Sequence, residues 1–86
     1  MNPQLGPSDI AKRGEEIYFS VIQQQLEPQH NGDYVVIEVE TGNFTYNSNP
    51  LVALKEAQQK YPGKLFHVIR VGYILKPTTN YHNLVL

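Results

Sequence analysis

The chain contains no cysteine and no tryptophan. Without cysteine, a disulfide framework, a thiolate zinc site and a cysteine nucleophile are all excluded. A chain of 86 residues buries only about 60 to 65% of the surface that its unfolded form exposes. We therefore expect a single domain with a thin core, for which marginal stability or oligomerisation is typical, and a location in the reducing cytoplasm.

The sequence also lacks a surplus of either charge and any long apolar run. Seven lysines and arginines stand against eight aspartates and glutamates, for a formal net charge of -1. The basic residues are scattered, so nucleic-acid binding is not expected. No apolar run approaches the ~20 residues that span a bilayer, and the start MNPQLGPSD does not have the pattern of a signal peptide. The expectation is a soluble protein without membrane association.

Proline and glycine divide the chain into segments. Residues 8–76 are predicted to form a single α+β domain, and residues 1–7 and 77–86 are predicted to be flexible or loosely packed tails. A first helix should begin with Ser8 as its cap and end at Pro28. Apolar and small residues at spacings of three and four predict its buried stripe. The stripe consists of Ile10, Gly14, Ile17, Tyr18, Val21, Ile22, and Gln25 with Leu26.

Residues 34–47, YVVIEVETGNFTYN, change to a period of two and predict a β-hairpin. A two-residue Thr-Gly turn would pair Val39 with Phe44 and Ile37 with Tyr46. In this register the large apolar residues share one face, whereas a slip by one residue would place the two aromatic side chains among the carboxylates.

A second helix and a third strand follow the hairpin. Pro50 suits the first helical position after a cap at Ser48 or Asn49, and the helix should cover residues 51–61. Its predicted stripe consists of Leu51, Leu54, Ala57, Gln58 and Tyr61. Residues 65–71, LFHVIRV, are apolar at both alternating positions, which indicates a strand with neighbours.

The order helix, strand, strand, helix, strand predicts a two-layer α+β fold. A right-handed crossover through the second helix makes the third strand run parallel to the second. Placing the third strand beside the first gives a three-stranded mixed sheet in the order 2-1-3. Both helices are predicted to pack on one face of this sheet.

The hairpin and the third strand carry a sequence theme. It reads Val36-Ile37-Glu38-Val39-Glu40-Thr41-Gly42-Asn43-Phe44, and later Arg70-Val71-Gly72. This resembles a family of small uncharacterised bacterial proteins whose theme is Val-Ala-Ile-Asp-Val-Glu-Thr-Gly-Asp-Tyr followed by Arg-Val-Gly. The similarity covers roughly residues 14–76 and departs from the theme at the alanine, at Glu38 and at Asn43. The family has no established activity to carry over. Its members look like accessory partners of small proteases or toxins rather than enzymes.

Glu38 and Glu40 lie two residues apart on one predicted strand face, about 6.5 to 7 Å at the backbone. This is the carboxylate separation of an inverting glycosidase, but that mechanism also needs a pocket and one carboxyl group with a raised pKa. We interpret the pair as a solvated face that guards the hairpin against edge pairing. A small hydrolase that uses Glu38 and Glu40 together with His67 is an alternative.

His67 alternates with apolar residues in the third strand, so we expect it to be partly buried. The alternative is a metal ligand with Glu38 or Asp33, although no histidine pair in the chain has the short spacing that favours a metal site. We assign no catalytic residue, no metal ligand and no cofactor.

One face of the predicted sheet is left uncovered by helices. An apolar patch with an opposite-charge pair at its rim is expected there, and such patches mark interfaces. Its predicted members are Tyr34, Val36, Glu38, Phe66, Val68 and Arg70. The alternative occupant of this face is the C-terminal tail, which ends with Leu84, Val85 and Leu86.

The resulting expectation is a small non-enzymatic interaction or regulatory module that forms a homodimer or binds a protein partner through this face. An antitoxin-like protein, which binds nucleic acid or neutralises a toxin, is the alternative. Nucleic-acid binding would then use Lys12 and Arg13 of the first helix with the aromatic side chains of Tyr34 and Phe66.

Overall fold

A computed structural model describes residues 6–76 of the chain. The elements are α1 (Pro7–Ile17), a π-helical segment (Tyr18–Ile22), α2 (Gln23–Leu26), β1 (Tyr34–Glu38), β2 (Phe44–Asn47), α3 (Pro50–Lys60) and β3 (Phe66–Arg70). The three strands form one sheet in the order β2-β1-β3. The α+β class and the 2-1-3 order are therefore confirmed. The predictions for residues 1–5 and 77–86 lie outside the described residues.

The sheet is antiparallel between all its neighbours. β1 pairs antiparallel with β2 on one side and with β3 on the other. β2 and β3 run in the same direction, as predicted, but β1 separates them. The prediction of a mixed sheet was wrong, because this strand order leaves no parallel pair of neighbours.

The helices lie on opposite faces of the sheet, which corrects the prediction of two layers with both helices on one face. Val35 and Ile37 pack with the first helix, whereas Val36 packs with Ala53 and Ala57 of α3. Successive side chains of a strand point to opposite faces, and β1 is apolar on both. A helix on one face alone would leave Val36 in water. The domain therefore has three layers, with the sheet in the middle.

The N-terminal helix comprises α1, the π-helical segment and α2. Its backbone stays in the right-handed helical region at Tyr18 and Gln23, where the segments join. The buried positions recur every four residues, at Gly14, Tyr18, Ile22 and Leu26. In an α-helix of 3.6 residues per turn, a four-residue spacing drifts around the axis by about 40° per step. The wider π-helical turn offsets this drift. Val21, which was predicted to lie in the buried stripe, is instead 46% exposed.

The N-terminal helix approaches β3 most closely at Gly14. A Cβ atom there would lie 2.6 Å from the Cβ of His67 and 2.7 Å from its Cδ2. The sequence pattern identified this glycine only as a weak helix former. In the structure the absent side chain is what allows the helix to contact the strand.

α3 packs closely on β1 and β2 through small residues. The Asn49 side chain accepts the Leu51 N–H at 2.9 Å, as the capping pattern predicts. Ala53 and Ala57 are fully buried, and the Thr45 hydroxyl donates to the Ala53 carbonyl at 2.7 Å. The predicted stripe was wrong at Leu51, which is 74% exposed, because the alanine side of the helix faces the sheet.

The hairpin register differs from the predicted one by two residues. Ile37 pairs with Phe44 and Val35 pairs with Tyr46. A shift of two keeps every side chain on its predicted face, but residues 39–42 now form the loop. Val39 lies in this loop and does not pair with β2, and its N–H donates to the Leu65 carbonyl at 3.1 Å on the β3 side.

A buried tyrosine links the N-terminal helix to the end of β3. The Tyr18 hydroxyl donates to Glu27 Oε2 and accepts the Gly72 N–H at 3.3 Å. Gln23 also donates to Glu27 Oε2, at 3.3 Å. Burial raises the pKa of Tyr18 to about 12, and the hydrogen bond to Glu27 contributes in the same direction.

Gly14→Ala should destabilise the domain by about 1 to 3 kcal/mol, the usual cost of overpacking. Helix propensity alone would give the opposite sign, a gain of roughly 1 kcal/mol. Urea unfolding followed by circular dichroism measures the difference. Lys12→Ala, at an exposed position of the same helix, is the control and should change the unfolding free energy by less than about 0.5 kcal/mol. A stabilised Gly14→Ala variant would contradict the close contact with His67.

Tyr18 should make the folded state sensitive to alkaline pH. The unfolded chain loses the Tyr18 proton near the ordinary pKa of about 10, whereas the folded chain keeps it to about 12. Stability is therefore fully present below pH 10 and falls as the pH rises through this window. Tyr18→Phe should lose this part of the pH dependence in urea titrations between pH 9 and 12. An unchanged slope in the variant would exclude this role for Tyr18.

Candidate interaction surface

The two helices cover different halves of the sheet. On one face of the sheet α3 lies against β1 and β2, and on the opposite face the N-terminal helix lies against β3 and β1. On the face that carries α3, β3 is therefore only partly covered. Val36 of β1 is fully buried, whereas its partner across the ladder, Val68 of β3, is 41% exposed. The sheet thus presents an apolar strip beside α3.

Arg70 crosses this strip between two tyrosine rings. Its Cζ atom lies 4.0 Å from the ring centroid of Tyr73 and 5.5 Å from that of Tyr34. The Nε–H donates to the Gly32 carbonyl at 3.4 Å. Cation–π contacts at exposed sites are worth about 0.5 to 1 kcal/mol each. The guanidinium group is therefore held by two aromatic rings and a backbone carbonyl, with no ion pair among residues 6–76.

A chain reversal after β3 brings Tyr73 over Arg70. Gly72 has φ +83°, a conformation that L side chains rarely adopt, and the Tyr73 N–H donates to the Arg70 carbonyl at 3.1 Å. The glycine carries the aromatic ring back to the face on which Arg70 lies. Tyr73 is 66% exposed, and sequence reasoning missed it. The signal that was available is a glycine two residues after Arg70 that breaks the strand just before an aromatic residue.

The outer edge of β3 also presents backbone groups. Hydrogen bonds from Val39 N–H to the Leu65 carbonyl and from Val71 N–H to the Asp33 carbonyl show that the odd-numbered residues of this segment face β1. In an antiparallel ladder the backbone groups of alternate residues point to opposite sides. The N–H and C=O groups of Phe66 and Val68 therefore point outward.

The β3 surface is defined here as Tyr34, Phe66, Val68, Arg70 and Tyr73. Four of its five members belong to the predicted interface, and all of them lie on the face that carries α3. Two predicted members do not contribute to it. Val36 is buried beneath Ala53 and Ala57, and Glu38 is only 1% exposed. The prediction failed at Val36 because it left this face without a helix, and at Glu38 because the hairpin loop encloses the carboxylate.

Glu38 organises the hairpin loop and is not part of a solvated face. Its Oε2 accepts the Glu40 N–H at 2.7 Å, and its Oε1 accepts the Thr41 hydroxyl. The Glu38 carbonyl also accepts the Gly42 N–H at 2.7 Å. Glu40, by contrast, is exposed and pairs with Lys64 at 3.2 Å. Glu38 therefore has a structural role, and only Glu40 lies on a solvated face as predicted for both.

The residues of the hydrolase alternative do not converge. His67 lies on the opposite face from Glu38 and packs against Gly14 of the N-terminal helix. Both Glu38 oxygens already accept hydrogen bonds, and Glu40 points to its lysine partner. Within residues 6–76, no group of three or more potential metal ligands is present. Asp33, the other partner considered for His67, contacts His30 instead, at 3.2 Å.

The parts of the nucleic-acid alternative are also separated. Lys12 and Arg13 are exposed on α1, on one side of the sheet. Tyr34 and Phe66 lie on the opposite side. Arg13 instead lines an open groove of about 290 Å³ between the N-terminal helix and residues 39–42. For the part of the chain that the structure covers, no helix is long and apolar enough to cross a bilayer.

Comparisons with family models, curated proteins and solved structures found no significant match to this chain. The resemblance noted in the hairpin and in β3 therefore stays a prediction and supports no assignment. The β3 surface presents one cation over a tyrosine ring, three aromatic rings and one exposed valine at a sheet edge.

Glu38→Gln should destabilise the fold by about 1 to 3 kcal/mol, because it removes a buried charged acceptor of two hydrogen bonds. Glu40→Gln removes only an exposed ion pair and should cost less than about 1 kcal/mol. Thermal unfolding of the two variants provides the comparison. Equal stabilities would contradict the structural role of Glu38.

Proposed function

We propose that the protein is a small non-enzymatic interaction module that binds a protein partner through the β3 surface. The observation that carries the proposal is the contrast between Val68, which is 41% exposed, and its neighbour Val36, which is fully buried. A well-packed domain that leaves one half of a sheet face open offers a ready docking place. The partner is either a second copy of the chain or another protein, and the cytoplasm is the expected location.

The composition of the surface supports this proposal. Tyrosine and arginine are enriched among the residues that dominate protein binding energies, and the surface holds Tyr34, Arg70 and Tyr73 around one exposed valine. Three of its residues lie on β3 itself, so the backbone positions are fixed by the ladder with β1. A surface held in this way loses little conformational entropy when a partner binds.

Photo-crosslinking in the host cell tests the proposal. A benzophenone amino acid replaces Tyr73, which preserves an aromatic ring at that position. We expect a discrete protein adduct after irradiation. Val68→Glu should remove it, because it replaces the exposed apolar contact with a hydrated carboxylate that can also occupy the neighbouring Arg70.

The matched control places the same amino acid at Leu51, an exposed apolar position on α3. It should give no discrete adduct. If the probe at position 73 gives no adduct beyond the Leu51 background, or if Val68→Glu leaves the adduct unchanged, the proposed function is wrong. Circular dichroism of each purified variant shows that the fold is retained.

A further inference from the structure

Within residues 6–76, Arg70 is a cation without a carboxylate partner. All eight aspartate and glutamate residues lie within residues 6–76, so the segments outside the described residues contain no acidic side chain. The ion pairs of the described residues join Lys60 with Glu56 and Lys64 with Glu40, and Asp33 contacts His30. No acidic side chain pairs with Arg70, although it stands in the centre of an exposed apolar surface.

The orientation of Arg70 leaves its best recognition groups free. The Cζ atom lies 4.0 Å from the Tyr73 ring centroid, and the Gly32 carbonyl accepts the Nε–H. Within residues 6–76, no hydrogen bond uses the two Nη groups. The edge that carries these groups is the one that binds a carboxylate through two parallel hydrogen bonds.

We propose that the β3 surface binds an acidic segment of a partner protein, with a carboxylate paired to the Nη groups of Arg70 and a neighbouring apolar side chain packed on Val68. This inference rests on the proposed function and specifies the chemistry of the partner. The outward N–H and C=O groups of Phe66 and Val68 allow the backbone of an extended segment to pair beside β3. The carboxylate supplies specificity, and the exposed valine supplies apolar contact.

A carboxylate fits this surface better than a nucleic-acid phosphate does. Binding to a phosphate backbone draws on several cations at once, and the β3 surface contains only Arg70. Lys12 and Arg13 lie on the other side of the sheet. The remaining members of the surface are one aliphatic and three aromatic side chains, which suit a mixed acidic and apolar peptide.

Selection from a random peptide display library on the immobilised full-length chain tests the inference. Among the selected peptides we expect Asp or Glu next to an apolar residue to be enriched several-fold over the unselected library. A charge-assisted pair of this kind changes affinity by about 10- to 100-fold. Arg70→Gln should abolish the acidic enrichment, and Arg70→Lys should reduce it because lysine lacks the planar fork.

Lys55→Gln is the matched control, because Lys55 is an exposed cation on α3 that forms no ion pair among the described residues. It should leave the acidic enrichment unchanged. An unenriched set of peptides, or the same acidic enrichment with Arg70→Gln, overturns the inference. Thermal unfolding of the Arg70 variants shows whether the surface stays folded.

A second arm uses oligo(dT) in low salt as a phosphate probe. Binding that depends on Arg70 would identify phosphate as the ligand and overturn the assignment to a protein carboxylate. The crosslinking experiment separates this failure from a failure of the proposed function. If the adduct at position 73 forms equally well with Arg70→Gln, the surface binds a protein but does not recognise its charge.

Discussion

The structure depends on β1, which alone among the strands of residues 6–76 has neighbours on both edges and helices on both faces. Its ladder residues pair with β2 on one side and with β3 on the other. Val35 and Ile37 anchor the N-terminal helix, and Val36 anchors α3. In so short a chain the central strand is shared by two small hydrophobic cores. Each helix therefore packs on side chains of the same five-residue strand as well as on one of its neighbours.

The uneven cover of the sheet follows from this sharing. Ala53 and Ala57 bring α3 close to β1 and β2, where Thr45 donates to the Ala53 carbonyl. On the other face, Gly14 brings the N-terminal helix close to β3 at His67. The helices thus occupy diagonally opposite halves of a three-stranded sheet. The half that remains uncovered on the α3 face is the one in which Val68 and Arg70 lie.

Local patterns predicted most of the elements. The alternation in residues 34–40, the Asn49 cap with Pro50, and the apolar run before Gly72 gave strands and helices within a few residues of their observed bounds. The strand order also followed, because a short hairpin and one crossover helix leave few arrangements. The side of each helix that packs on the sheet was harder to predict. Ala53 and Gly14 lie at the closest contacts because they lack a large side chain, and hydrophobic periodicity does not detect such positions.

The candidate surface was predicted only in part, because alternation along a strand shows on which face a side chain lies but not what covers that face. Alternation placed Tyr34, Phe66, Val68 and Arg70 on one face, and the structure keeps them there. Val36 and Glu38 share that face but are buried, by α3 and by the hairpin loop respectively. Tyr73 was missed because its position depends on the positive φ of Gly72. A contact made across a tight turn has no period in the sequence.

The central claim is that α3 covers Val36 and leaves Val68 accessible, and the methyl groups of the two valines report on it directly. Paramagnetic relaxation by a soluble gadolinium chelate, measured by NMR on a dilute sample, compares their exposure in one experiment. We expect strong broadening of the Val68 methyl signals and little effect on those of Val36. Equal protection of both valines would mean that the β3 surface is covered within the single chain, which would contradict the account.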